Sequence, residues 1–117
     1  KLNKDFMKDF MLLSMLLVST SICLGQKVFS VEYESRADLK VFVVDYESQA
    51  DLLVYKVKSE SQAGDNNGKW FFTQYESQAK KTIFFVDYES QADLKIFFVD
   101  YESQAGWRNG SKKSLLY

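Results

Sequence analysis

The pentapeptide Y-E-S-Q-A, or a close variant of it, occurs six times in this chain, with its serine at Ser35, Ser48, Ser61, Ser77, Ser90 and Ser103. The spacings are 13, 13, 16, 13 and 13 residues. So regular a period restricts the chain to a repeat architecture, in which every copy makes the same local structure and the same kind of contact to its neighbours. A longer symmetry lies above the short one. Residues 42 apart match: Ser35 with Ser77, Ser48 with Ser90, Ser61 with Ser103, and Asn67-Gly68 with Asn109-Gly110. The repeat region is therefore a tandem pair of halves, about 27–68 and 69–117, each of three repeats. The three-residue excess lies in Gly64-Asp65-Asn66-Asn67-Gly68, which reads as the loop between them.

Each repeat divides into a strand and a link. The strand segments are Val28–Tyr33, Val41–Tyr46, Val54–Ser59, Trp70–Tyr75, Ile83–Tyr88 and Ile96–Tyr101. Position two is Phe or Tyr in every copy, position four is Val in five and Thr73 in the fourth, and position six is Tyr in all but the third. Period two puts these three positions on one face, which is the expected core. Position five is polar throughout, and position three runs from Ser30 and Lys56 to Phe72, Phe85 and Phe98. The opposite face is thus expected to be partly wet. Aromatic and β-branched residues of this kind suit a pleated surface, so the fold class is mainly β: six 13-residue strand-plus-link repeats in two pseudo-symmetric halves.

The links read E-S-Q-A-D-L-K. The step from Ser35 to Asp38, Ser48 to Asp51 and Ser90 to Asp93 resembles a capping arrangement, so each link is expected to hold one helical turn. An alanine kept in all six copies (Ala37, Ala50, Ala63, Ala79, Ala92, Ala105) suggests close backbone approach. Seven residues are too few for a parallel crossover between sequential strands, which takes a dozen or more. Three arrangements remain: antiparallel meanders with roomy turns, a coil whose successive strands enter different sheets, or pairing between repeats that are not neighbours. The 42-residue symmetry favours the last, each half laying its strands beside those of the other.

The tandem V-F-F-V-D-Y-E-S-Q-A-D-L-K units, ending in G-W-R-N-G-S-K-K-S-L-L-Y, resemble the Septknot family of uncharacterised small bacterial repeat proteins. The resemblance covers Lys27 to Tyr117 and implies a deep torus knot in which the two halves wind about each other. This chain departs from the repeat in its third copy, where Lys56, Lys58 and Ser59 replace Phe, Asp and Tyr. The resemblance implies no activity and no partner.

The N-terminus reads as a secretory signal peptide, residues 1–25. Lys1, Lys4 and Lys8 precede an apolar stretch from Phe10 to Val18, and small residues follow at Ser19, Thr20 and Ser21. That is the order of basic, apolar and cleavage regions, and the apolar run is short for a membrane span. Cleavage after Gly25 and after Ser21 both satisfy the small-residue rule; the first is preferred because the repeat begins at Lys27. Lipid attachment at Cys23 is disfavoured by the bulk of Ile22 before it. The expected product is an exported domain, residues 26–117, periplasmic or extracellular, with no membrane span and no thiol.

Chemistry is sparse. There is no His, so the commonest general base and metal ligand is missing. With 15 basic and 16 acidic residues there is no electrostatic case for nucleic acid. Glu34, Glu47, Glu60, Glu76, Glu89 and Glu102 recur beside the motif serine. Read functionally they are a carboxylate array; read structurally they are a turn position copied with the repeat, and the second reading is preferred. A Ser–Lys pair at Ser111 with Lys112 or Lys113 is a weak nucleophile candidate. Asp65-Asn66-Asn67-Gly68 lacks the alternating ligands of a calcium loop. Arg108, Lys112 and Lys113 read as a solvated basic tail. No catalytic, cofactor or metal site is assigned and no cofactor is expected. The remaining candidates for surface contacts are aromatic: Trp70, Trp107, Phe72, Phe85 and Phe98, with burial by a second layer of the same chain as the preferred alternative.

The physiological function is not legible from these residues. The leading reading is a non-enzymatic binding or structural module, monomer or small oligomer, of unknown partner. A self-associating fibre or matrix subunit is second, because Ile83–Val86 and Ile96–Val99 are uncharged and proline-free, although Asp87 and Asp100 look like gatekeepers. A carboxylate-using hydrolase comes last.

Overall fold

The computed structural model describes residues 25–117, so the signal-peptide reading and Cys23 lie outside the described residues. Seven strands follow in order: β1 (Lys27–Ser30), β2 (Leu39–Val43), β3 (Leu52–Lys56), β4 (Lys69–Phe72), β5 (Lys81–Phe85), β6 (Leu94–Phe98) and the short β7 (Gly106–Trp107). Their spatial order is β4-β1-β5-β2-β6-β3, and β3 pairs in turn with β4. Six strands thus close into a parallel barrel. Every one of its pairings joins one half of the chain to the other, and sequential repeats within a half are separated by an intruding strand. β7 adds an antiparallel pair with β3, Leu52 facing Trp107 and Leu53 facing Gly106.

The register explains how such short links serve parallel strands. Ile83 of β5 lies beside Ser30 at the end of β1 and beside Leu39 at the start of β2. In the same way Val41 lies between Phe85 and Leu94, and Ile96 between Val43 and Leu52. A link therefore need not return along the length of a strand. It only steps over one, a distance of about 10 Å or two interstrand spacings. This is why the crossover-length rule does not bind here. The longer third link has a different task, carrying the chain from β3 to the adjacent β4.

Each link holds one 3-10 turn, for example Glu47–Gln49 and Glu89–Gln91. The capping differs from the expected arrangement. The residue before each turn is Tyr in five copies, with no side-chain cap. In the third copy Ser59 forms a reciprocal cap with Gln62. The aspartates instead bind the neighbouring strand. Asp93 Oδ2 accepts the Lys40 N–H at 2.9 Å while the Asp93 N–H donates to Lys40 O at 2.8 Å. Asp51 does the same with Lys95, and Asp38 with Thr82. Each is a two-point clip between halves, made where a strand start would leave an N–H unpaired. The alanine ends the 3-10 turn, its N–H donating to the glutamate carbonyl, as Ala50 does to Glu47 at 3.2 Å. In the second link Ala50 and Val44 are buried with Leu53 against Phe42, Phe97 and Val99.

The core face is the opposite of the one expected from periodicity. Position one (Val28, Val41, Val54, Trp70, Ile83, Ile96) is wholly buried in all six strands, and Leu39, Leu52 and Leu94 two places earlier join it. Position two is only half-buried, on the outside of the barrel. Position four is buried in five copies, but just beyond the strand, and the position-six tyrosines stand exposed at 62–68%. The strands also begin one residue (β1 and β4) or two residues (β2, β3, β5 and β6) earlier than expected and end at position three. In a closed barrel the inner ring admits six side chains of moderate size, so Val, Ile and one Trp fill it. Aromatics at position two are left to the outer face, beneath the links.

The C-terminal segment is no solvated tail. A 3-10 helix, Gly110–Leu116, buries Leu116 in the main core cluster, to which Leu39, Leu52 and Leu94 also belong. Asn66, with φ of 53°, donates from Nδ2 to Lys113 O at 3.0 Å, and its carbonyl accepts the Trp107 Nε1–H at 2.9 Å. Gly68 is required as glycine, having a φ of 89° and no room for a Cβ against the Leu53 carbonyl.

Candidate functional site at the barrel mouth

Because side chains alternate along a strand, position three shares the inward face with position one and lies at the C-terminal ends of all six parallel strands. In barrel order this rim is Phe72, Ser30, Phe85, Val43, Phe98 and Lys56. The two halves alternate, so the three phenylalanines of the second half are interleaved with Ser, Val and Lys of the first. Phe72, Phe85 and Phe98 are half-buried and pack on the core cluster. Phe72 lies 6.1 Å from Trp70 and 6.4 Å from Phe98, centroid to centroid, both pairs tilted. Between them Lys56 sets its ammonium 4.4 Å from the centre of the Phe98 ring and 5.4 Å from that of Phe72, a cation held against two π faces.

Position five contributes a second set of charges next to this rim. Four copies carry acids, Glu32, Asp45, Asp87 and Asp100, whereas the seam between β3 and β4 carries Lys58 and Gln74. An open cleft of about 660 Å³ lies along that seam, lined among others by Lys56, Lys58, Phe72, Tyr75 and Gln78. Glu60, which also lines it, is ion-paired with Lys27. The Thr73 hydroxyl accepts the Tyr75 N–H at 3.2 Å and donates to Gln78 Oε1 at 3.3 Å, fixing the polar wall. Among the described residues Lys56 and Lys58 form no ion pair, whereas Lys27, Arg36, Lys40, Lys69 and Lys95 each do.

The sequence-derived candidates divide accordingly. Phe72, Phe85 and Phe98 come together at the mouth. Trp70 is wholly buried inside the barrel and Trp107 is half-buried at the C-terminal closure, so neither joins them. Five of the six repeated glutamates serve separate ion pairs, Glu34 with Lys40, Glu60 with Lys27, Glu76 with Arg36, Glu89 with Lys95 and Glu102 with Lys69. The Glu34 carboxylate, hydrogen-bonded to Lys40, raises that lysine's pKa. The Ser111 hydroxyl donates to Asn109 Oδ1 at 2.6 Å and the Ser111 N–H to the same atom, so Ser111 works as part of a helix cap. Lys56 and Lys58 were missed as site residues. Their signal was present in the sequence as the departure of the third repeat from the other five.

A family model described as a 7(1) septoil knot domain matches residues 25–108. The chain belongs to the Septknot family. The matched segment of the Septknot domain contains all six barrel strands, β7, and every residue of the mouth and cleft. It ends just before the 3-10 helix that closes the other end of the barrel. Neither the curated proteins nor the solved structures contain a match to the chain.

Proposed function

We propose that this Septknot chain is an exported, non-enzymatic binding module whose working surface is the barrel mouth with the adjoining β3–β4 cleft. The observation that carries the reading is the pattern of divergence between repeats. Copies keep what the barrel needs, the buried ring and the links, and differ in size and charge at positions three and five around the mouth. A rim of three phenylalanines and one unpaired ammonium is not required by the barrel, and apolar lining with a few fixed polar groups suits a ligand. The Ser111 hydroxyl is engaged in a helix cap, and five of the six repeated glutamates are engaged in ion pairs, which weighs against a hydrolase. Closure of the barrel leaves its strands without free edges, which weighs against a fibre and for a monomer or small oligomer. No helix among the described residues is long and apolar enough to cross a membrane.

The reading is tested by a fragment screen followed on amide resonances of the 15N-labelled protein. Hits are expected to shift residues 56–58, 71–78, 85 and 98. Hits spread over the Glu-Ser-Gln turns, with the mouth unmoved, would contradict it. Export is supported by the basic, apolar and small-residue order of residues 1–25. N-terminal sequencing from the native host should find Gln26, or Ile22, at the mature terminus. A lipid on Cys23 would replace that reading with membrane anchoring.

A further inference from the structure

We infer that the cleft between β3 and β4 takes an acidic sugar, its carboxylate held by Lys56 and Lys58 and an apolar ring face laid on Phe72 and Tyr75. This inference rests on the mouth being the binding surface and adds the class of ligand. The charge around the rim is divided. Glu32, Asp45, Asp87 and Asp100 occupy four of the six position-five sites, while Lys58 takes the fifth and Gln74 the sixth, side by side at the seam. Lys56 stands just inside them, and Glu60 is neutralised by Lys27. An anion is therefore repelled from most of the rim and attracted to one place on it.

Two lysines in a chain of net charge −1 are too few for a nucleic acid backbone, whose affinity grows with the number of phosphates neutralised. An extended peptide gains much of its affinity by pairing with a sheet edge, and the closed barrel offers none at this seam: Tyr55 pairs with Lys69, and Lys56 with Trp70. Recognition must come from side chains. The cleft supplies aromatic faces for stacking, side-chain amides at Gln74 and Gln78 for hydroxyls, and ammonium groups for a carboxylate. Gln78 uses its Oε1 for Thr73, which leaves its NH2 as a donor to a ligand.

The test is titration of the full chain with trigalacturonate, maltotriose and a hexaglutamate peptide, followed calorimetrically and by amide shifts. Trigalacturonate is expected to bind at residues 56–58 and 71–78, with affinity falling as salt rises. Lys58→Gln and Lys56→Gln should each weaken it at least tenfold while the circular dichroism spectrum stays unchanged. Maltotriose should show no saturable binding, and hexaglutamate should bind more weakly than trigalacturonate. Absence of trigalacturonate binding, or an affinity indifferent to Lys58→Gln, overturns the inference. Hexaglutamate binding as tightly as the sugar acid would assign the cleft to acidic peptides instead. Maltotriose binding there as tightly as trigalacturonate would remove the acidic preference yet leave the mouth as the binding surface, so the two readings fail separately.

Discussion

Trp70→Ala is expected to lower the unfolding free energy by about 3–5 kcal/mol, the range for deleting a large buried aromatic. Trp70 is the largest member of the inner ring and is wholly buried. Its neighbours are ladder-bonded strands that have little freedom to collapse into the space it leaves. For a domain whose total stability is of the order of 5–15 kcal/mol, that loss is severe. Trp70→Phe should be much milder, because the Trp70 Nε1–H has no hydrogen-bond partner among the described residues, so the change sacrifices volume and no bond. The adjacent pair Ile83 and Phe84 separates the two faces. Ile83→Ala is expected to cost about 2–5 kcal/mol, and Phe84→Ala, half-buried outside the barrel, clearly less. Urea denaturation of the four variants checks this order. A cost at Phe84 exceeding that at Ile83 would mean that position two, and not position one, fills the core.

Separating the halves should have an even larger effect. Peptides 25–68 and 69–117 are each expected to be without cooperative structure in solution, by circular dichroism and by thermal scan. All six pairings of the barrel run between the halves: β1 with β4 and β5, β2 with β5 and β6, β3 with β6 and β4. A half alone has no strand partner, and isolated strands do not pay their own ordering entropy. The intact chain is expected to fold slowly for its size for the same reason, since its sheet contacts join residues far apart in sequence. A cooperative transition in either peptide would contradict interleaving.

Much of this architecture could be read before any coordinates. Six serines at near-constant spacing and the match at 42 residues led to strands from one half lying beside strands of the other, and to one helical turn per link. What misled was the choice of face. Phe29, Phe42, Phe84 and Phe97 look like core on hydrophobicity alone, yet a small barrel has a narrow interior that suits Val28, Val41, Ile83 and Ile96 better. Local periodicity carries no information on the curvature that decides between them. Asp38, Asp51 and Asp93 were legible as partners of backbone N–H groups, but the groups they serve lie in the other half, which no local pattern can show. The site was half visible: Phe72, Phe85 and Phe98 were noticed, whereas Lys56 and Lys58 stood out only as irregularities of the repeat. Their meaning depends on β3 closing against β4, a contact that exists only in the folded barrel.

The most direct test of the interleaved barrel is a set of backbone nuclear Overhauser effects in the labelled full chain. Cross-strand contacts are predicted between Val28 and Lys81, between Val41 and both Phe85 and Leu94, and between Leu52 and Ile96, in a parallel pattern. Lys56 with Trp70 should close the ring. Cross-strand contacts between consecutive repeats of the same half, such as Val28 with Val41 or Ile83 with Ile96, would contradict the account.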